Sequence, residues 1–212
     1  EDAAQLNNVE EVVVVGSQIK GAKITGALPV SVLTSDDIDI LGISDGEDLV
    51  NNLVEQGMNY FNEGEQTSGG VNAARGDTGA YNLRNMGVGN TLSLLNGRRM
   101  VNNAGYQTEF IGGDFVPTMT ANTNGIPVNA LDRVEVLKDG ASAIYGADAV
   151  AGVINNVLDD DYEGFQLQVK RSEYHLAAAE DHDLNMKFGI TFNGGKTYVS
   201  TYFNYRDRDP IK

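Results

Sequence analysis

Few residues in this sequence have the types and spacings that perform covalent chemistry. His175 and His182 are its only histidines, seven positions apart among alanines and acids, and read as surface imidazoles rather than a metal pair. Cysteine is absent, which removes disulfides, thiol nucleophiles and Cys-based zinc or iron–sulfur sites. The G-x-S-x-G, H-E-x-x-H and Walker A patterns are missing, and Lys138 precedes its glycines instead of following them. Asp159-Asp160-Asp161 offers carboxylates of the kind calcium takes, but without the spaced ligands of a dedicated loop, so it reads as a solvated hinge. Arg75-Gly76-Asp77 spells an adhesion tripeptide that arises by chance in a Gly-rich loop. A hydrolase using Asp and Glu has no supporting constellation. The expectation is no enzyme, no cofactor and no metal.

Charge points to binding instead. Arg84, Arg133 and Glu135 fall in strand patterns, where a charge is costly unless paired. The 15 basic and 30 acidic residues give a net charge of −15, which argues against nucleic acid as a partner. At 212 residues and 41% hydrophobic content, the chain can build one full core with further elements. No run of about 18 apolar residues is present, so a transmembrane helix is excluded, whereas membrane strands, whose signal alternates, are not. The start at Glu1 rather than Met is expected of a processed chain whose export signal has gone.

Local patterns give the elements that must position these charges. Residues 1–9 are polar and expected to be mobile. Glu10-Glu11-Val12-Val13-Val14-Val15 is either an ordinary first strand or a segment that pairs with an open sheet edge of another protein. A Gly-rich linker, residues 16–28, leads to a strand at 29–33 and a helical turn N-capped by Ser35 and running to Leu41. Ser44 to Glu47 has capping-box spacing for a helix ending near Gln56-Gly57. Residues 62–80 read as a polar loop and Tyr81 to Asn85 as a strand. Thr91–Leu95, Asn96-Gly97 and Arg98–Val101 form the clearest hairpin, and residues 102–125 a long loop. Ile126 to Leu158 then reads as a helical turn, a strand at 133–137, an Asp139-Gly140 turn, a short helix and a closing strand at 149–157.

Beyond residue 161 the pattern changes to alternation. Phe165, Leu167 and Val169 alternate with Gln166, Gln168 and Lys170. Leu184 to Phe192 and Val199 to Tyr205 continue the two-faced pattern, with links at 177–183 and Asn193-Gly194-Gly195. Either a soluble antiparallel sheet with one buried face or the strands of a transmembrane barrel fits this alternation.

Within Ile126 to Leu158 the quoted residues carry a resemblance. Ile126-Pro127, the run Arg133 to Lys138, Tyr145-Gly146 and Gly152-Val153-Ile154-Asn155 resemble the end of the plug domain of TonB-dependent outer-membrane receptors. Leu83-Arg84-Asn85 and Leu94-Leu95-Asn96-Gly97 are similar to further family segments, with Asn85 in place of the usual Gly. The resemblance implies an α+β plug of small mixed sheet, short helices and long loops, followed by the first antiparallel strands of a transmembrane β-barrel. It divides the chain into an N-terminus and linker (1–28) with a TonB box at about 10–15, a plug (29–160) and first barrel strands (161–212). Three strands cannot close a barrel, which takes at least about 8 strands and about 22 in plugged transporters. The sequence is therefore expected to be the front of a longer receptor.

The resemblance also implies active import across the Gram-negative outer membrane. Glu10 to Val15 would be captured by TonB, itself driven by ExbB and ExbD. Arg84, Arg133 and Glu135 would pair plug with barrel wall, and Arg75, Val88, Asn90, Asn103, Tyr106 and Gln107 would contact a small or oligomeric substrate. A ferric siderophore, vitamin, carbohydrate or peptide fits such loops, with outer-membrane lipid and a surface lipoprotein as the other candidate partners. A soluble α+β periplasmic or extracellular binding module is the alternative reading.

Overall fold

A computed structural model describes residues 30–58, 78–138, 141–173 and 180–209. Glu10 to Val15, Arg75, His175 and the Asp139-Gly140 turn lie outside the described residues.

The chain opens with β1 (Val30–Thr34) and α1 (Ser35–Leu41). Thr34, not Ser35, caps α1, because Thr34 is the last residue with extended backbone. Its hydroxyl accepts from the Asp37 amide at 3.3 Å, and the Asp37 carboxylate accepts from the Thr34 amide at 3.0 Å. Likewise α2 (Gly46–Asn52) is capped by Asp45, one residue after the expected Ser44, through a 2.7 Å bond from the Asp48 amide. It stops at Asn52, before the expected Gln56-Gly57, because Gln56 is used elsewhere. Gln56 forms a bridge with Leu83, and its side chain accepts from the Asn82 amide at 3.0 Å. That bridge is all that forms of the strand expected at Tyr81 to Asn85, since Arg84 and Asn85 turn the chain at φ 54° and 57°.

The central sheet has the order β1-β6-β7-β2-β3, with β2 at Thr91–Leu95, β3 at Arg98–Arg99, β6 at Leu131–Leu137 and β7 at Gly152–Leu158. Here β2 and β7 run parallel, and the other neighbouring pairs antiparallel. Asn96 and Gly97, at φ 48° and 74°, make the expected two-residue turn, although β3 is shorter than its sequence suggested. Residues 102–125 are not one long loop. They contain a hairpin of β4 (Gln107–Ile111) and β5 (Asp114–Thr118), turned by Gly112-Gly113. A short α3 (Ser142–Tyr145) precedes β7, which begins at Gly152 rather than at residue 149, since Ala147–Ala149 is a 3-10 turn.

Alternate residues of β6 and β7 feed two apolar clusters. Val134, Val136 and Ile154 join Leu49, Val50, Tyr81 and Leu83 in one, while Leu137 and Val153 join Leu92 and Leu94 in the other. Buried polar groups pin the strands between them. The Tyr81 hydroxyl donates to Asn156 at 2.9 Å, the Asn156 amide donates to the Leu94 carbonyl at 3.0 Å, and burial pushes the Tyr81 phenol pKa up. Three longer strands come next as a separate antiparallel sheet, β8 (Gly164–Glu173), β9 (Glu180–Phe192) and β10 (Thr197–Arg208). β9 starts inside the stretch expected as a link, and Asn193-Gly194-Gly195 turns the chain at φ 56°, 64° and 86°.

Candidate functional site

The sidedness of β8–β10 is inverted relative to a soluble sheet. Along β9, Asp181, Asp183, Asn185 and Lys187 are buried. Phe188, Ile190 and Phe192 on the other register are exposed, as are Phe165, Leu167 and Val169 of β8 and Val199 and Phe203 of β10. A soluble sheet buries its apolar face, whereas a membrane strand turns that face outward to lipid. The polar register of β9 is buried, and that of β8 and β10 half-covered at Gln168, Lys170, Tyr202 and Arg206, because the first domain packs against it.

Two polar patches make that junction. In the first, the Lys170 ammonium donates to the Gly42 carbonyl at 2.8 Å and the Ser44 hydroxyl at 3.2 Å, and lies 3.3 Å from the Asp48 carboxylate. Arg206 pairs with Asp45 at the start of α2 and with Asp181 at 3.0 Å, and its Nε lies 3.3 Å from Asp183. The Ser44 hydroxyl donates to Asp183 at 3.4 Å. In the second, Lys187 pairs with Asp159 and sits 4.2 Å from the centre of the Tyr162 ring. The Tyr202 hydroxyl donates to the Asp159 carbonyl at 2.8 Å and Tyr198 to the Tyr162 carbonyl at 3.0 Å. Gly189 admits this linker, since a Cβ there would lie 1.9 Å from the Tyr162 carbonyl oxygen. A cleft of about 220 Å³ lies between the domain and the sheet, lined by Ser35, Asp36 and Asp39 of α1 and by Gln166, Gln168 and Asn185.

Asp159 is thus an anchor rather than a solvated hinge. Burial alone would raise its pKa, but the Lys187 ammonium and the amides of Asp161 and Tyr162 outweigh that and hold it below the ordinary carboxylate value. A depressed carboxylate contributes stability above its unfolded pKa and loses it as pH falls through the folded one. Acidification from about pH 5 toward pH 2 is therefore expected to loosen this linker, with lower amide protection, relative to the intrinsic exchange rate at each pH, at Asp161 and Tyr162. Asp159→Asn should remove that pH dependence. Identical profiles for the two proteins would rule the anchor out.

The sequence model of the TonB-dependent Receptor Plug Domain matches residues 22–153. The chain belongs to the TonB-dependent receptor family. A probable TonB-dependent siderophore receptor, PirA of Acinetobacter baumannii, is 25% identical over 181 residues, 85% of this chain and 22% of its own length. The vitamin B12 transporter BtuB of Vibrio vulnificus is 38% identical over 143 residues, 65% of this chain and 20% of its own. This chain therefore spans about a fifth of the length of those relatives. In fold, it superposes on the ferric enterobactin receptor PfeA of Pseudomonas aeruginosa with a TM-score of 0.61 at 21% identity, covering 87% of this chain and 25% of that one. The first domain is thus a plug, and β8–β10 succeed it as the additional antiparallel strands.

The structure distributes the sequence-predicted site residues of this TonB-dependent receptor unevenly. Arg133 and Glu135 meet on β6 at 2.8 Å, Asp132 also pairs with Arg133, and Glu135 is fully buried and accepts from Asn155 at 3.1 Å. The Arg84 guanidinium donates to the Ala151 carbonyl at 3.0 Å. Val88 and Gln107 are buried, Gln107 donating to the Thr78 carbonyl at 2.7 Å, so neither offers a surface to a solute in this structure. Asn90, Asn103 and Tyr106 are half-buried. His182 lies on β9, 3.5 Å from Glu180, and no acid–histidine metal cluster exists among the described residues.

Sequence reasoning missed the cations that join plug to β8–β10, Lys170, Lys187 and Arg206. The signal was present: each occupies the polar register of an alternating strand. What remained hidden was that this register faces inward.

Proposed function

We propose that the chain is the front of an active importer in the Gram-negative outer membrane. Residues 29–160 form the plug that gates the path, residues 161–212 begin the barrel wall, and residues 1–28 carry the segment that TonB captures. The observation supporting this is the inverted sidedness of β8–β10, apolar outward and charged inward against the plug. Such a sheet cannot leave its edges open in lipid, so β8 and β10 require further strands as neighbours. Solute binding on the outer side would release Glu10 to Val15, and TonB, energised through ExbB and ExbD, would add a strand to it and pull. No covalent step is involved. Siderophores and vitamin B12, named for the relatives, together with peptides and carbohydrates, make up the proposed substrate class. Asn90, Asn103 and Tyr106 remain as contacts, along with Arg75.

The test is capture of the purified periplasmic domain of TonB by the receptor extracted from outer membranes in detergent. Val13→Pro removes an amide donor from the added strand and is expected to weaken capture tenfold or more. Undiminished capture by that variant would move the TonB site away from Glu10 to Val15. Recovery of the protein in the soluble fraction without detergent would overturn the importer reading altogether.

A further inference from the structure

The hydrogen bonds and ion pairs that join β8–β10 to the first elements of the plug converge on a single turn, Gly42 to Asp48. The elements ahead of that turn are held lightly. Among the described residues β1 lies at the sheet's edge and pairs with β6 alone, and α1 buries only Ile38 while leaving Ile40 83% exposed. The helix after it, α2, is held firmly. Leu49 and Val50 are fully buried, and a Cβ on Gly46 would lie 2.0 Å from the Thr123 carbonyl oxygen, so the first turn of α2 is wedged between that carbonyl and the wall. α1 also forms one side of the polar cleft whose opposite side is Gln166, Gln168 and Asn185.

We propose that the Gly42–Asp48 turn is a catch that limits how much of the plug a pull on the N-terminus removes. Force applied ahead of Val30 strips β1 and α1, and stops where Lys170 and Arg206 hold the chain to the wall. Removing α1 opens the cleft along the polar inner faces of β8 and β9, while the body of the plug stays seated. The inference rests on the proposed pulling of the N-terminus, and it adds the stopping point and the two residues that set it.

Single-molecule pulling on the membrane-embedded receptor through a handle at its N-terminus tests this. Because the handle supplies the force, failure of TonB capture leaves the measurement intact, and the two readings fail separately. Among the described residues, the first step should release residues 30–41, about 40 Å of chain, before a pause. Lys170→Met combined with Arg206→Met should abolish the pause, so that extension runs on into α2, and Arg206→Lys should retain it. A wild-type first step extending well beyond Asp48 overturns the proposal, as does an unchanged pause in the double variant. Lys170→Met alone, which removes one cation and leaves Arg206 in place, is expected to shorten the pause and guards against misfolding of the double variant.

Discussion

Gly152→Ala is expected to destabilise the plug by about 3–5 kcal/mol, against about 1 kcal/mol for Gly97→Ala. Both glycines have positive φ, 148° and 74°, but their surroundings differ. A Cβ at position 152 would lie 2.3 Å from the Leu137 carbonyl oxygen and 2.8 Å from the Leu83 side chain, whereas at position 97 nothing lies within 4 Å. The carbonyl cannot retreat cheaply, because Leu137 pairs with Val153 in the β6–β7 ladder and with Val30 on β1. The first substitution therefore adds a backbone clash at the sheet's centre to a conformation that is essentially glycine-only. Whole domains are stable by only about 5–15 kcal/mol, so this loss is a large share of the total. Urea titration of the detergent-solubilised protein, monitored by circular dichroism, measures both variants. Equal midpoints for the two would show that the close approach to Leu137 carries no weight.

Glu135→Ala is expected to cost about 3 kcal/mol, whereas Arg133→Met with Glu135→Leu should cost about 1–2 kcal/mol, most of it from the Asn155 amide left without its acceptor. Glu135 is fully buried, with one oxygen 2.8 Å from the Arg133 guanidinium and the other accepting from Asn155. Burial pushes the Arg133 pKa down, but the carboxylates of Glu135 and Asp132 more than reverse this, so it ends above the ordinary arginine value. Deleting the acid alone leaves a half-buried cation with only Asp132 and an Asn155 amide without its acceptor. Replacing both charges with apolar groups of similar volume removes the desolvation cost together with the attraction. The surviving Asp132 pair keeps the single-variant cost at the low end of its class. A double-mutant cycle with coupling energy near zero would show that the two side chains act independently.

Local chemistry made some elements legible and left others hidden. Asn96-Gly97 announced its hairpin because two successive residues at positive φ select that dipeptide. The β4–β5 hairpin did not announce itself, since Pro117 sits within β5 and argues against a strand unless it lies at an edge. Helix starts were off by one residue, because Thr34 and Ser35, like Ser44 and Asp45, are adjacent residues that both make good caps. Only the backbone bend chooses between them. The alternation of β8–β10 was visible, but its sidedness depends on what occupies the inside. Lys170, Lys187 and Arg206 became recognisable as plug contacts only once Asp48, Asp159 and Asp45 were seen opposite them.

The strand order β1-β6-β7-β2-β3 also governs the timing of assembly. As the chain is made and exported from its N-terminus, β1 appears first but its partner β6 begins 97 residues after Thr34, at Leu131. The hairpin of β2 and β3 likewise waits for β7, the strand that unites both halves and the last to arrive. Until Leu158 emerges, the sheet has no centre, and the plug remains an unfinished, passable thread. The next residues, Asp159 to Tyr162, lead directly into β8 and carry the anchor that Lys187 of β9 later meets. Closure of the cork and the start of the bottle's neck are thereby written into adjacent syllables of the chain.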